Sequence, residues 1–253
     1  MKATPLEFRF RYIIHALLYF GGFAFYWMPH AHESTWLVLT PLLERTGWLN
    51  FNAATITLLA LAIFFAMMGA FLRTWGAAYL GAGIVQSHGM HGDSVLADGP
   101  YRHLRNPLYL GTFLNTLALA LIMPPPGAIF VILTIGLFQL RLIFAEEPFL
   151  AARLGQPYLD YCKRVPRLLF SPIPRVPPSG AKPHWLQAIL GEIYVIGVAI
   201  SFAILGWRYN AFLLTQCVLV SLGVSLVVRA AMPAVNRMAA APCSAPDAPP
   251  AIS

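Results

Sequence analysis

Two short segments rich in tyrosine, arginine and carboxylate residues could carry chemistry, and both border long apolar stretches. The first runs from Gly99 to Tyr109 and the second from Arg141 to Arg167. Charged groups held close to lipid are energetically costly, so they mark candidate functional positions. Phenol rings and carboxylates suit a cationic ligand, whereas arginines suit a carboxylate or a phosphate.

The first segment combines a predicted helix start with aromatic side chains. Pro107 fits the first turn of a helix, and Asn106 before it is a good N-cap residue. The free backbone N–H groups of such a helix start favour an anionic group. Tyr101 and Tyr109 add aromatic faces with a polar tip. The alternative is an ordinary interfacial belt, because tyrosine and arginine are common where helices leave a membrane.

The second segment contains Glu146 and Glu147 at the predicted C-terminal end of a helix, where the helix dipole disfavours negative charge. A bound cation or an arginine must therefore offset two adjacent carboxylates. Arg141 lies five residues earlier, which is not the ideal spacing for a helical ion pair. Pro148 restricts Glu147, so we expect a kink at this point.

A short cytoplasmic helical lobe is expected after these carboxylates. Gly155 is typical of a helix end, and Pro157 can open another helix with Tyr158 and Tyr161 on one face. The alternative is a solvated loop whose basic residues touch lipid headgroups.

The elements that must position these segments are membrane-spanning helices. The chain has 253 residues, of which 58% are hydrophobic and only 11% charged, and its mean hydropathy is +0.65. Stretches of about 20 apolar residues can cross a bilayer. The sequence predicts an all-α, polytopic transmembrane helical bundle of about six spans, at residues 12–28, 53–72, 108–123, 127–145, 185–206 and 211–228. Pro124–Gly127 ends the third span and makes the third and fourth an antiparallel hairpin, which places Arg105–Tyr109 near Arg141–Glu147.

The distribution of basic residues predicts the orientation of the spans. With the N-terminus inside, 14 of the 17 Lys and Arg residues lie in inside segments, so both termini and the charged segments are expected to be cytoplasmic. We expect an integral membrane protein of the bacterial inner membrane. The net charge of +7 is then a topology signal that also suits anionic lipid. It gives no indication of nucleic acid.

The predicted organisation has five parts, divided by composition. They are N-terminal transmembrane helices (1–72), a core of hairpin and lobe (73–170), a Pro-rich linker (171–184), C-terminal transmembrane helices (185–232) and a disordered tail (233–253). Glu192 lies near the end of the fifth span, where it either faces a cavity or snorkels to the interface.

The two charged segments resemble the isoprenylcysteine carboxyl methyltransferase and phospholipid methyltransferase superfamily. The motifs keep the order and spacing of that superfamily over roughly residues 73–170. They comprise Gly99, Tyr101, Arg105, Asn106, Pro107 and Tyr109, then Glu146, Glu147 and Leu150, then Gly155, Tyr158, Tyr161, Arg164, Val165 and Pro166. Asn106 stands where the carboxyl methyltransferase motif has a histidine. Asparagine at this position resembles the phospholipid methyltransferases and the bacterial members of the superfamily.

The resemblance implies an S-adenosylmethionine-dependent membrane methyltransferase with a lipophilic or lipid-linked acceptor that arrives from the bilayer. It implies a cofactor site formed by Tyr101, Arg105, Asn106, Pro107, Tyr109, Glu146, Glu147, Tyr158 and Tyr161. Arg164 and Arg167 are the predicted catalytic residues, as a clamp on an acceptor carboxylate or phosphate. The first candidate acceptor is a carboxylate on a prenyl-linked compound, and the alternative is the amine of a phosphatidylethanolamine-type phospholipid.

The sequence bears on three other interpretations. A sterol reductase resembles the same superfamily but needs a longer transmembrane region. A transporter or another non-enzymatic membrane protein would be expected to have polar residues at mid-membrane, whereas here they cluster at one face. A metal site could involve His88, His91 and His103, but cysteine partners are absent and nearby acids are few, so no metal is expected. The sequence does not indicate the oligomeric state.

Overall fold

All regular structure in the described part of the chain is helical, which confirms the predicted all-α class. The computed structural model describes residues 2–29, 31–80 and 97–239. These residues form ten α-helices, which are α1 (Pro5–Arg9), α2 (Arg11–Ala24), α3 (Thr35–Glu44), α4 (Phe51–Leu80), α5 (Pro107–Ala120), α6 (Pro125–Leu154), α7 (Gln156–Arg164), α8 (Trp185–Gly191), α9 (Ile193–Ile200) and α10 (Ala211–Ala239).

A helix lies at each of the six predicted spans, but not all of them are long enough to cross a bilayer. By length and composition, three of the described helices could do so: α4, α6 and residues 211–228 of α10. The pair formed by α8 and residues 193–204 would make a fourth, although it is bent by 71° at its break. Both α2 and α5 have 14 residues, or about 21 Å, whereas the hydrocarbon core is about 30 Å thick.

The predicted hairpin is confirmed, since α5 and α6 are joined by a short turn and pack on each other. The chain turns between α5 and α6 at Pro124, and α6 then continues without interruption to Leu154. The helix therefore does not break at Pro148, and the kink expected there stays a prediction. The exposed ring of Pro148 is accommodated within the helix, which ends instead at Gly155 with a φ of 64°.

Glycines allow the close approach of the helices in this bundle. A Cβ on Gly69 of α4 would lie 2.7 Å from the Gly111 carbonyl oxygen of α5, and a Cβ on Gly127 of α6 would collide with the Gly22 carbonyl of α2. Small residues at such crossings let membrane helices pack closely. The packed core lies where α4, α5 and α6 meet the segment after α9, and it includes the fully buried Leu59, Leu119, Val131 and Phe202.

The N-terminal residues are tied to the charged end of α6. Thr4 and Glu7 form a reciprocal capping box at α1. The Ala3 amide donates to the Arg141 carbonyl oxygen at 3.0 Å, and Arg141 Nη2 pairs with Glu7 at 2.8 Å. Arg141 therefore neutralises Glu7 and not the carboxylates that follow it in α6.

The C-terminal part departs from the predicted boundaries. Helix α10 continues to Ala239, so residues 233–239, which the sequence assigned to a disordered tail, are helical. Residues 240–253 lie outside the described part.

Candidate active site

The two segments with the family-like motifs lie side by side and are joined along their backbones. Tyr161 Oη donates to the Tyr101 carbonyl oxygen at 2.8 Å. Backbone hydrogen bonds continue the contact, from Arg105 N to Pro166 O at 2.9 Å, from Ser171 N to His103 O at 3.1 Å and from Arg175 N to Arg102 O at 2.8 Å. The helix start at Pro107 and the lobe after α6 thus form one unit.

Glu147 is the centre of a charged network. Arg105 Nη1 lies 3.0 Å and Arg167 Nη2 2.8 Å from its carboxylate oxygens. The Asn106 amide donates to the same carboxylate at 3.3 Å and to the Arg167 carbonyl oxygen at 3.1 Å. Asn106 occupies the N-cap position of α5, but its side chain does not cap the helix. The expected arginine partners of the carboxylates exist, and they come from the two segments rather than from α6 itself.

Glu146 has a different environment from its neighbour. Tyr109 Oη donates to Glu146 Oε2 at 2.9 Å, so the partner is a neutral phenol instead of a guanidinium. Because Glu147 is neutralised by two arginines, Glu146 is the carboxylate of this pair whose negative charge is better placed to act on a ligand. Two adjacent glutamates look alike in the sequence, so this difference could not be predicted from it.

Tyrosine rings complete the wall around these groups. Tyr101, Tyr158 and Tyr161 are buried, and burial raises the pKa of each phenol above its ordinary value. They therefore stay neutral over the physiological range and act as hydrogen-bonding phenols and as aromatic faces.

These residues line one large cavity of about 940 Å³. Its charged part contains Arg105, Glu146 and Glu147, and its wall continues along α2 and along an apolar face of α10 that includes Phe212 and Leu219. Helix α2 packs on α6, whereas α10 packs on α8 and α9. A single cavity thus joins a polar end to an apolar channel between helices.

A second ion pair borders the cavity and joins the C-terminal helices to α4. Arg73 Nε lies 2.6 Å from Glu192 Oε2, and Arg73 Nη2 lies 2.8 Å from Glu192 Oε1. Their side chains are 13% and 2% exposed. Arg73 Nη1 also donates to Thr112 Oγ1 at 2.6 Å. Of the two alternatives for Glu192, the structure shows the cavity position and not the snorkelling one.

The structure does not bring every predicted site residue to the cavity. Arg164 is exposed, and neither it nor Arg167 lines the cavity wall. The side chain of Arg167 is engaged with Glu147. Their predicted role as a clamp stays a prediction without geometric support. The imidazole of His103 is bonded to the Ser171 carbonyl and stacked on Phe170, while His88 and His91 lie outside the described residues.

Sequence reasoning missed Asp98, which holds the Pro-rich linker against the first motif. Its buried carboxylate accepts hydrogen bonds from the Ser179 hydroxyl and from the amides of Ser179, Gly180 and Ala181. Burial acts to raise the pKa of Asp98, but these hydrogen bonds outweigh it and hold the pKa below its ordinary value. An aspartate before a Gly-Pro turn carries no sequence signal for a partner so distant in the chain.

Comparison with known proteins gives one family match, which lies in the central part of the chain. Residues 53–156, less than half of the chain, match the model of the phospholipid methyltransferase family. This range contains α4, α5, α6 and the first motif with both carboxylates. A search of curated proteins and a search of solved structures each give no match.

The family match agrees with the resemblance drawn from the motifs, since this family belongs to the integral membrane methyltransferase superfamily. The methyltransferase assignment, and with it the need for a methyl donor, follows from that family. Over residues 53–156 the chain is similar to the phospholipid methyltransferase family, and this match supports a methyltransferase enzyme.

Proposed function

We propose that this protein transfers a methyl group from S-adenosylmethionine to a lipophilic acceptor, with the reaction at the charged, cytoplasmic end of the cavity. The observation that supports this most directly is that a carboxylate and a guanidinium both line the same wall of the cavity. Glu146 lines the cavity beside the Tyr109 phenol, and Arg105 lines it beside Glu147. A single cavity then connects these charges to an apolar channel that suits a lipid tail.

The residues present fit the proposed cofactor. The amino-acid end of S-adenosylmethionine carries an ammonium and a carboxylate. Arg105 Nε is a buried donor with no hydrogen-bond partner among the described residues, so it could donate to that carboxylate. Glu146 could accept from the ammonium, and the rings of Tyr101 and Tyr158 could contact the cation or the adenine.

The other predicted cofactor residues have supporting parts in this proposal. Glu147 and Asn106 hold Arg105 and the lobe in position, while Pro107 fixes the helix start and Tyr161 ties the lobe to the first motif. When bound, S-adenosylmethionine supplies an electrophilic methyl group on a sulfonium. The protein contributes by orienting the reactants and excluding water from the charged end.

The acceptor has two candidates, and we now place the phospholipid amine first. An amine must lose a proton before it is methylated, so this acceptor needs a base that the cofactor does not occupy. The match to the phospholipid methyltransferase family favours the same acceptor. The carboxylate of a prenyl-linked compound is the second candidate, which the motif resemblance favours.

The cofactor part of the proposal can be tested by calorimetry on the detergent-purified full chain. We expect S-adenosylhomocysteine to bind with micromolar affinity, as an order-of-magnitude expectation for such a ligand. Glu146→Gln should weaken binding about tenfold or more, because a charge-assisted hydrogen bond is lost. Glu44→Gln, at an exposed position of α3, is the matched control and should bind as wild type does. No binding to wild type, or equal binding to Glu146→Gln, contradicts the proposed cofactor site.

The acceptor can be identified by incubating the protein with methyl-labelled cofactor and total membrane lipid. A methyl ester releases labelled methanol in mild base, whereas an N-methylated headgroup keeps its label. We expect base-stable label in a phospholipid. Base-labile label would reverse our order of the two candidates, and absence of any labelled lipid would contradict a lipid acceptor.

A further inference from the structure

Besides the Arg105 Nε donor at the charged end, two buried polar atoms deeper in the cavity wall have no hydrogen-bond partner among the described residues. They are Nε2 of His15 on α2 and Oδ1 of Asn115 on α5, and both residues line the cavity. Asn115 is only 1% exposed. Buried side-chain polar atoms are nearly always satisfied in folded proteins, so two in one cavity wall indicate a missing partner.

Both atoms are hydrogen-bond acceptors. His15 Nδ1 lies 2.7 Å from the Arg11 carbonyl oxygen. Because a carbonyl can only accept, Nδ1 carries the proton, and Nε2 of the neutral ring presents a lone pair. Oδ1 of Asn115 is a carbonyl oxygen, although which amide atom is oxygen is set by the surroundings. The missing partner must therefore be a donor.

The two acceptors lie on helices that both border the cavity, α2 and α5, which a hydrogen bond from Tyr19 joins. His15 and Tyr19 are four residues apart and share a face of α2. Tyr19 Oη is hydrogen-bonded to Thr116 Oγ1 at 2.6 Å, which places this face against the part of α5 that contains Asn115. Asn115 lies six residues beyond Tyr109, or about 9 Å along the helix. The two acceptors are thus deeper in the bundle than Glu146, which Tyr109 contacts.

We propose that His15 and Asn115 form a second polar subsite, which accepts two hydrogen bonds, one at each residue, from O–H or N–H groups on the hydrocarbon part of a lipophilic ligand. This deepens the proposed function and rests on it for the cavity's occupant. The subsite selects among lipids of the same headgroup, because a plain alkyl chain would leave both acceptors unpaired. Binding sites built to pair with such a group discriminate against analogues that lack it.

The test compares octadecylamine with its derivative that has two adjacent mid-chain hydroxyls, as probes for the full chain in detergent. Their dissociation constants are measured by thermophoresis without any methyl donor. Wild type should bind the hydroxylated probe more tightly, by about fivefold to tenfold for each hydrogen bond made. His15→Phe and Asn115→Leu should each reduce this preference towards unity while octadecylamine binding changes less than twofold.

Gln139→Leu is the matched control. Gln139 is also buried and its Nε2 also lacks a partner, but the residue does not line the cavity, so the preference should persist. Equal affinity of wild type for the two probes would overturn the subsite, because water would then satisfy both atoms. An undiminished preference in His15→Phe would overturn it as well, even if Asn115→Leu does not fold. Loss of S-adenosylhomocysteine binding would bear on the proposed function alone.

Discussion

The ion pair between Arg73 and Glu192 gives the sharpest test of how the C-terminal helices are attached. Glu192→Gln keeps the size of the side chain but removes its charge. The guanidinium of Arg73 contacts Glu192 at 2.6 and 2.8 Å, in a site where the side chains are 13% and 2% exposed. The glutamine would leave it one acceptor oxygen and no counter-charge. Breaking a buried pair from one side typically costs about 3–5 kcal/mol, since it leaves one charge uncompensated.

The double variant separates pairing from simple packing. Arg73→Met combined with Glu192→Gln removes both charges, so it should be more stable than Glu192→Gln alone by about 2 kcal/mol or more. The assay is reversible denaturation in mixed micelles, with the free energy of unfolding of the four proteins compared in one cycle. The same samples can be tested for S-adenosylhomocysteine binding, since Arg73 lines the cavity.

A matched control comes from the half-buried pair at the other end of the chain. Glu7 and Arg141 lie 2.8 Å apart with side chains 30% and 29% exposed. Glu7→Gln also keeps the capping box, so it should cost about 1 kcal/mol or less. If Glu192→Gln costs no more than Glu7→Gln, or if the effects at Arg73 and Glu192 simply add, our assignment of this pair as a buried structural contact is refuted.

Three further outcomes are expected. Glu147→Gln should lower the free energy of unfolding by about 1–3 kcal/mol, because the buried Arg105 loses its carboxylate, and unchanged chemical denaturation would contradict this. Gly127→Ala should destabilise the protein by about 1–3 kcal/mol through overpacking. Gly223→Ala is the control and should not destabilise it, because a Cβ there would meet nothing within 4 Å. Thermal unfolding of the two variants makes the comparison. Because the pKa of Asp98 lies below its ordinary 3.8, its stabilisation is present above that pH and is lost as the pH falls through the lower folded-state value. Asp98→Asn should abolish that part of the acid dependence of unfolding, and an unchanged dependence would exclude Asp98 as its source.

The sequence was sufficient to predict the hairpin and the meeting of its two motifs. Pro107 determines where α5 begins, and Pro124 determines where the chain turns into α6. In an antiparallel pair, the start of the first helix then lies beside the end of the second. The contact between Tyr109 and Glu146 at 2.9 Å follows from that geometry. These features depend on neighbours in the chain, so local rules suffice for them.

Contacts between distant residues could not be predicted in the same way. Arg73 and Glu192 are 119 positions apart, and their meeting depends on how α8 and α9 pack on α4. The different partners of Glu146 and Glu147 likewise depend on the position of Arg167 in the lobe. Hydropathy and charge patterns describe each helix separately, and they do not encode which faces of separate helices come together.

The contact of the N-terminal residues with α6 has a practical consequence for producing this protein. Ala3 is bonded through its amide to the Arg141 carbonyl, one and a half turns of helix before the paired carboxylates. An affinity tag fused ahead of Ala3 would compete with this bond and could shift the helix that presents Glu146. A tag fused after residue 253 would avoid that contact, and purified samples carrying it are the better choice for measuring ligand binding.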